Sequence, residues 1–371
     1  MEKLREKVME ALEREGYRLE GLRIVPPELT KENIRRMNTA AIEEARRKAR
    51  RLAGLEDKLL STVAAGYEVD VERIKPRLIP VRSGTLEADI FRYFTLHWSI
   101  LVSQGYGRRL RFLIQDENNG KYMGILGIGD PVFNLGVRDE WIGWGYETRR
   151  RNLCHVMDAF VLGSIPPYNA LLVGKFIAMA AVSREIRECF VQRYSGRKTI
   201  IKGREIPPEL AIVTTTSALG RSSIYNRLKF RDRPVFYSVG FSRGWGTFHL
   251  SNGVYSEIFK LVSENTKGTA KSEGWGGGEF RNRWEVVRKG LRLLGFSGNW
   301  LQHGVLREVF VGPTARNSRE FLLGKADSLE YYPEGIEDYW DFFRERYLLP
   351  RAKRRPDYLD FDKEEWRLWK R

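Results

Sequence analysis

Asp158 stands between Met157 and Ala159-Phe160, inside an apolar run. A carboxylate there is costly unless paired, so its pKa is expected to be perturbed or its charge to meet a cation. Asp139-Glu140 and Glu147 flank Trp141-Ile142-Gly143-Trp144. Asp139, Glu147 and Asp158 would suit Mg²⁺ in a metal-dependent nuclease if the fold gathers them, and otherwise read as solvated acids. Tyr225 is either a core tyrosine with a satisfied hydroxyl or a general acid. Asp158 and Tyr225 are thus the candidate catalytic pair.

A second group of residues suits an anion. Arg221-Ser222-Ser223 reads as the start of a short helix, where hydroxyls and free N–H groups cap the helix or bind phosphate. Trp245 in Arg243-Gly244-Trp245-Gly246, and Trp275 between glycines with Arg281 and Arg283 close behind, suit stacking on unpaired bases or burial beside turns. Lys353-Arg354-Arg355 is a solvated run or a phosphate contact.

The whole chain leans the same way. Its 371 residues carry 64 Lys and Arg against 48 Asp and Glu, a formal charge of +16. That surplus favours a polyanionic partner, DNA ahead of an anionic membrane surface. Cys154 and Cys189 are the two cysteines, which removes a disulfide framework and points to the reducing cytoplasm. The start carries charge where a signal peptide needs an apolar stretch. Ala170 to Val182 is too short to span a bilayer. The Glu, Arg and Lys content fits growth at high temperature. No G-x-x-x-x-G-K-[ST] loop or H-E-x-x-H appears, and four scattered histidines do not make a zinc site.

The elements that must hold these residues follow from periodicity. Leu4, Val8 and Leu12 form a helical stripe that Pro26-Pro27 ends, and Thr30 opens a second helix. Leu110 to Gln115 and Lys121 to Ile128 read as strands joined at Asn119-Gly120. Val156 to Ile165 is a buried strand, broken by Pro166-Pro167-Tyr168-Asn169 before a long helix over Ala170 to Tyr194. Leu210 to Thr216 is a strand, Ser222 to Leu228 a short helix, Phe280 to Leu294 a helix, and Leu306 to Val311 a strand.

Two resemblances attach to these residues. The block Thr214-Thr215-Thr216-Ser217-Ala218-Leu219-Gly220-Arg221-Ser222-Ser223-Ile224-Tyr225-Asn226-Arg227 resembles the DruA family. So do Pro166-Pro167-Tyr168-Asn169, Val239 to His249 and His303-Gly304-Val305-Leu306-Arg307-Glu308-Val309, over roughly residues 105–350. That family is named from the Druantia anti-phage system and also occurs in mobile elements. The resemblance implies work on nucleic acid, with other defence-system or mobile-element proteins as partners. The order of elements resembles the GNAT acyltransferase core. That likeness implies a cofactor loop at the strand–helix break, with Ser164, Asn169, Gly174 and Lys175 holding a phosphate-bearing acyl or nucleotide donor. It also implies Tyr225 as the acid. The Gln/Arg-x-x-Gly-x-Gly/Ala signature of that core is absent here.

The expected fold class is α+β, or mixed α/β, around a central mixed sheet of GNAT-like strand–helix order. The expected regions are 1–78, helical; 79–262, the sheet domain; and 263–371, a Gly-rich loop with a basic, aromatic remainder. The expected function is binding to DNA and group transfer onto it. The alternatives are a non-catalytic binding subunit and a metal-dependent nuclease.

Overall fold

The computed structural model describes all residues except 103–106, 199–202, 204, 206, 245–247, 252, 270–279, 281–282, 299–304 and 370–371. Trp245, Trp275 and Arg281 therefore lie outside the described residues.

Seven strands form the central sheet: β1 (Pro76–Pro80), β2 (Arg109–Asp116), β3 (Tyr122–Gly129), β4 (Val156–Ser164), β5 (Ile212–Thr216), β6 (Tyr237–Phe241) and β7 (Glu308–Pro313). Their spatial order is β6-β7-β5-β4-β3-β2-β1. Every neighbouring pair is antiparallel except β4 and β5, which run parallel. The fold is mixed α+β, as the sequence order implies. The β2–β3 hairpin turns at Gly120, whose φ of 71° suits a residue without a side chain.

Alternation decides what each face carries. Leu110, Phe112 and Ile114 of β2 enter the main core with Met123, Leu126, Met157 and Phe310. Helices α5 (Val173–Ala180) and α6 (Arg184–Tyr194) contribute Phe176, Ile177 and Phe190 to that core, and α9 (Ile336–Phe343) contributes Tyr339 and Phe343. The opposite face is covered in two separate places. Leu113, Ile125 and Val161 meet Phe91 and Phe94 of α3 (Leu86–Thr95), while Val156, Ile212 and Val311 meet Ile142 of α4 (Gly136–Ile142) and Trp144. A further cluster joins the N-terminal helices to the segment from Phe248 to Val305. There Val8 and Leu12 of α1 (Glu2–Arg14) and Ile34 of α2 (Lys31–Lys48) pack with Ile258 of α7 (Val254–Asn265) and Leu291 of α8 (Arg283–Leu293).

Several elements differ from expectation, each for a tertiary reason. The long helix is two helices. At Ser183 the chain turns extended, and the Arg184 N–H donates to the Glu334 carbonyl. No helix forms over Ser222 to Leu228. The Ser222 hydroxyl accepts the Ile224 N–H at 3.1 Å, and Lys175 takes the Ser223 and Ile224 carbonyls that a helix would need. Helix α1 ends at Arg14, well before Pro26-Pro27, and a hairpin of Arg18–Glu20 with Arg23–Val25 fills the interval. Thr30 does open α2, its side chain accepting the Asn33 N–H at 3.1 Å. The last strand, β7, comes from the C-terminal region and inserts between β5 and β6. Among the described residues no helix is long and apolar enough to cross a membrane.

Candidate functional site

The parallel pair is where the candidate residues collect. Its ladder runs from Val156 opposite Ile212 to Ala159 opposite Thr215 and stops there. Beyond it β4 continues to Ser164 paired with β3 alone. A register jump leaves Phe160 as an extra residue between Ala159 and Val161, a bulge that bends β4 just where it parts from β5.

Asp158 lies on the half-open face, in a straight cross-strand row of Arg109, Gly129, Asp158 and Thr214. The Thr214 hydroxyl donates to its Oδ1 at 2.6 Å. Burial raises the Asp158 pKa, and the Thr214 hydrogen bond and the Arg138 charge partly oppose that rise. Burial thus perturbs this carboxylate, and Arg138 acts on it by charge without an ion pair, its own partner being Asp139. Arg138 is fully buried on α4 and donates to Asp139 Oδ1 at 2.9 and 2.7 Å and to the carbonyls of Val132 and Phe133.

Asp139 is committed to structure. It also accepts the Trp144 Nε1–H, an Arg149 N–H and the Leu135 backbone N–H, each within 3.0 Å. Glu147 is exposed and pairs with Arg150 at 3.6 Å. The acidic set Asp139, Glu147 and Asp158 is not brought together. Among the described residues no three His, Cys, Asp or Glu side chains gather where they would hold a metal ion.

Tyr225 is buried on the other face of the sheet, its ring against Phe236 and Phe310 at 5.4 and 5.0 Å. Burial pushes its hydroxyl up to about 12, against a hydrogen bond with Thr215. Thr215 in turn donates to the Ala159 carbonyl at 3.1 Å. Because Thr214 and Thr215 alternate, Asp158 and Tyr225 sit on opposite sides of the last paired rungs. They do not share one cleft, which corrects the sequence expectation. Tyr225 also sits in a turn, not in a helix.

The strand–helix break is closed. The N–H groups of Asn169, Ala170, Leu171, Leu172, Val173 and Lys175 all donate to nearby carbonyls. Gly174 is buried against Ser164 and Ile224, Asn169 is exposed, and Arg351 covers the Ala170 carbonyl at 2.9 Å. Lys175 donates to the carbonyls of Ser223 and Ile224 at 2.9 and 3.3 Å. Ser164, Asn169, Gly174 and Lys175 are thus neighbours, but the loop presents no row of free donors of the kind a pyrophosphate needs.

The remaining basic candidates are dispersed. Arg221, Ser223, Arg243, Lys353 and Arg354 are exposed, and Ser222 is half-buried in its own turn. Arg283 is exposed, hydrogen-bonded to the His249 carbonyl and stacked over Tyr255 at 3.8 Å.

A different set of arginines, absent from the sequence expectations, lies on the same face of the sheet, with Arg109 two strands from Asp158. Arg109 and Arg111 alternate onto the half-open face of β2. The Arg109 guanidinium stacks 4.1 Å from the Phe160 ring centroid, and Arg111 lies 5.8 Å from that of Phe91. Arg92 follows Phe91 on α3, with Arg51 near enough to lower its pKa further after burial has done so. Burial and neighbouring arginines likewise depress Arg109 and Arg111, the latter through Arg193. Arg51 pairs with Asp89 at 2.7 Å, whereas among the described residues Arg92, Arg111 and Arg193 pair with no carboxylate. The sequence signal was the Arg-x-Arg alternation on a recognised strand, which fixes a shared face without showing what lies opposite.

The family model described as Druantia protein DruA matches residues 28–324. The chain is 38% identical over 371 residues to Druantia protein DruA of Escherichia coli (strain UMEA 4076-1), covering 99% of this chain and 90% of that relative. No solved structure matches. The match begins well before the stretch that carried the resemblance, taking in α2 and α3 with the arginines they bear, and on this evidence the chain belongs to the DruA family.

Proposed function

We propose that this protein serves in anti-phage defence of the Druantia kind, or in a mobile element, by binding nucleic acid through the cationic face of its sheet. The observation that carries the reading is the run Arg109, Arg111 and Arg193 beside Phe160 and Phe91, with Arg92 and Arg51 a second pair of like charges at α3. Like charges packed together on a half-open sheet face, three of them with Arg193 counted lacking a carboxylate, repel one another until a polyanion neutralises them. The partner is DNA, with other defence-system or mobile-element proteins completing the assembly.

A second reading, group transfer onto the bound nucleic acid, has one observation in its favour. That observation is the buried, neutral Tyr225 at the rung where two parallel strands part, although it lies on the face of the sheet away from the arginines. The residues at the strand–helix break do not fit a phosphate-bearing donor, since their N–H groups are taken by nearby carbonyls.

The two readings separate in one experiment. Labelled single- and double-stranded oligonucleotides are incubated with the protein, with and without Mg²⁺ and candidate donors. Binding is read by fluorescence anisotropy, cleavage by gel, and modification by nucleoside mass spectrometry. Binding without a new product supports a binding subunit, and a modified nucleoside that disappears in Tyr225→Phe supports transfer. Strand cleavage that requires Mg²⁺ would favour a nuclease, and failure to bind either form at low salt removes the proposal.

A further inference from the structure

We propose that the ligand of the cationic face is a single strand, laid across β2, β3 and β4 with a base stacked at the Arg109–Phe160 pair. This rests on the nucleic-acid reading above and narrows it to one substrate class.

The floor of the site is flat because two of its residues have no side chain. Gly127 and Gly129 stand opposite Arg111 and Arg109 on β3, and a Cβ at Gly127 would collide with the Phe160 ring. The bulge at Phe160 brings its ring over these bare positions, where the guanidinium of Arg109 lies against it. A planar cation stacked on an aromatic ring is a surface on which an unpaired base stacks whatever its identity. A paired base cannot reach it, since its faces are occupied within the duplex.

The placement of charge favours a thin ligand too. Arg92, Arg109 and Arg111 are half-buried, and the guanidinium groups of Arg109 and Arg111 lie near aromatic rings. A duplex presents phosphates on a broad convex surface and is met by projecting cations, whereas a single strand fits a cationic strip set between two covering layers. Those layers are present: α3 with its cluster on one side, and α4 with Trp144 on the other. From Arg109 to Thr214 the row crosses three strand spacings, about 14 Å.

The test is anisotropy with a short oligothymidylate, the matching oligouridylate and a duplex of equal length. The proteins are the full chain, Phe160→Leu and Arg111→Gln, with folding of each checked by circular dichroism. Single strands are expected to bind about 10-fold or more tighter than the duplex. Phe160→Leu should lose about 10-fold on single strands and little on duplex, and Arg111→Gln should lower the salt slope by about one. The oligothymidylate and oligouridylate arms tell DNA from RNA. Equal affinity for duplex and single strand, or full retention by a folded Phe160→Leu, overturns this inference while leaving nucleic-acid binding intact. Absence of binding to all three probes overturns the nucleic-acid reading itself.

Discussion

Arg138 shows how one side chain holds the candidate site in place. It is fully enclosed and makes four hydrogen bonds to one carboxylate and two carbonyls, while its charge acts on Asp158. Replacing it with methionine leaves Asp139 with Arg149 as its remaining cation and removes the charge that opposes protonation of Asp158. Arg138→Met is expected to lower unfolding stability by about 3–5 kcal/mol, read in denaturant melts. Asp158 should then titrate higher than in the parent, followed by NMR of its carboxyl carbon. The perturbation of Asp158 was legible in the sequence because a carboxylate in an apolar run must be compensated. The identity of its partners was not. Arg138 lies twenty positions away and reaches Asp158 only through the packing of α4 on the sheet.

At the scale of elements, Glu15 fastens the end of α1 to the segment that precedes α7. Its two carboxylate oxygens accept the His249 and Leu250 N–H groups at 3.1 and 2.6 Å. Burial lifts its pKa to about 7 from an ordinary 4.5, against those hydrogen bonds and the Arg283 charge. The folded chain therefore binds this proton more tightly than the unfolded chain does. The resulting stability is fully present below pH 4.5 and is lost as pH rises through 7, a change of about 3 kcal/mol. Denaturant melts at pH 4.5, 6 and 7.5 are expected to show the stability of the parent, relative to Glu15→Gln, falling by that order. A difference that stays flat with pH would refute the assignment. None of this could be read locally, because Glu15 sits in an ordinary run of charged helical residues. Local patterning did supply the hairpin of β2 and β3 and the cap at Thr30, where neighbours in sequence settle the conformation.

For the whole molecule, the packing of the N-terminal helix on α7 and α8 has a consequence that can be measured. Val8 and Leu12 complete an apolar cluster whose other members include Ile258, Val262, Val287 and Leu291. Deleting residues 1–16 uncovers that cluster while leaving the seven-stranded sheet untouched. Hydrogen exchange on the shortened chain is expected to show α7 and α8 losing protection while β2 to β5 keep theirs. Uniform loss across the sheet would mean that the cluster and the sheet unfold as one unit.

The sequence by itself determined the quantities that depend on composition and near neighbours. These are the cationic surplus, the succession of strands and helices around a mixed sheet, the strained position of Asp158 and the motif block of the DruA family. Tertiary structure alone decided which residues meet. The insertion of β7 beside β5, the break at Ser183 and the turn that replaces a helix at Tyr225 each depend on a partner more than 40 residues away in sequence. The same holds for the stacking of Arg109 on Phe160, which required a bulge in one strand and bare glycines in another. Periodicity assigns a side chain to a face, but only the pairing of distant strands sets what stands opposite it.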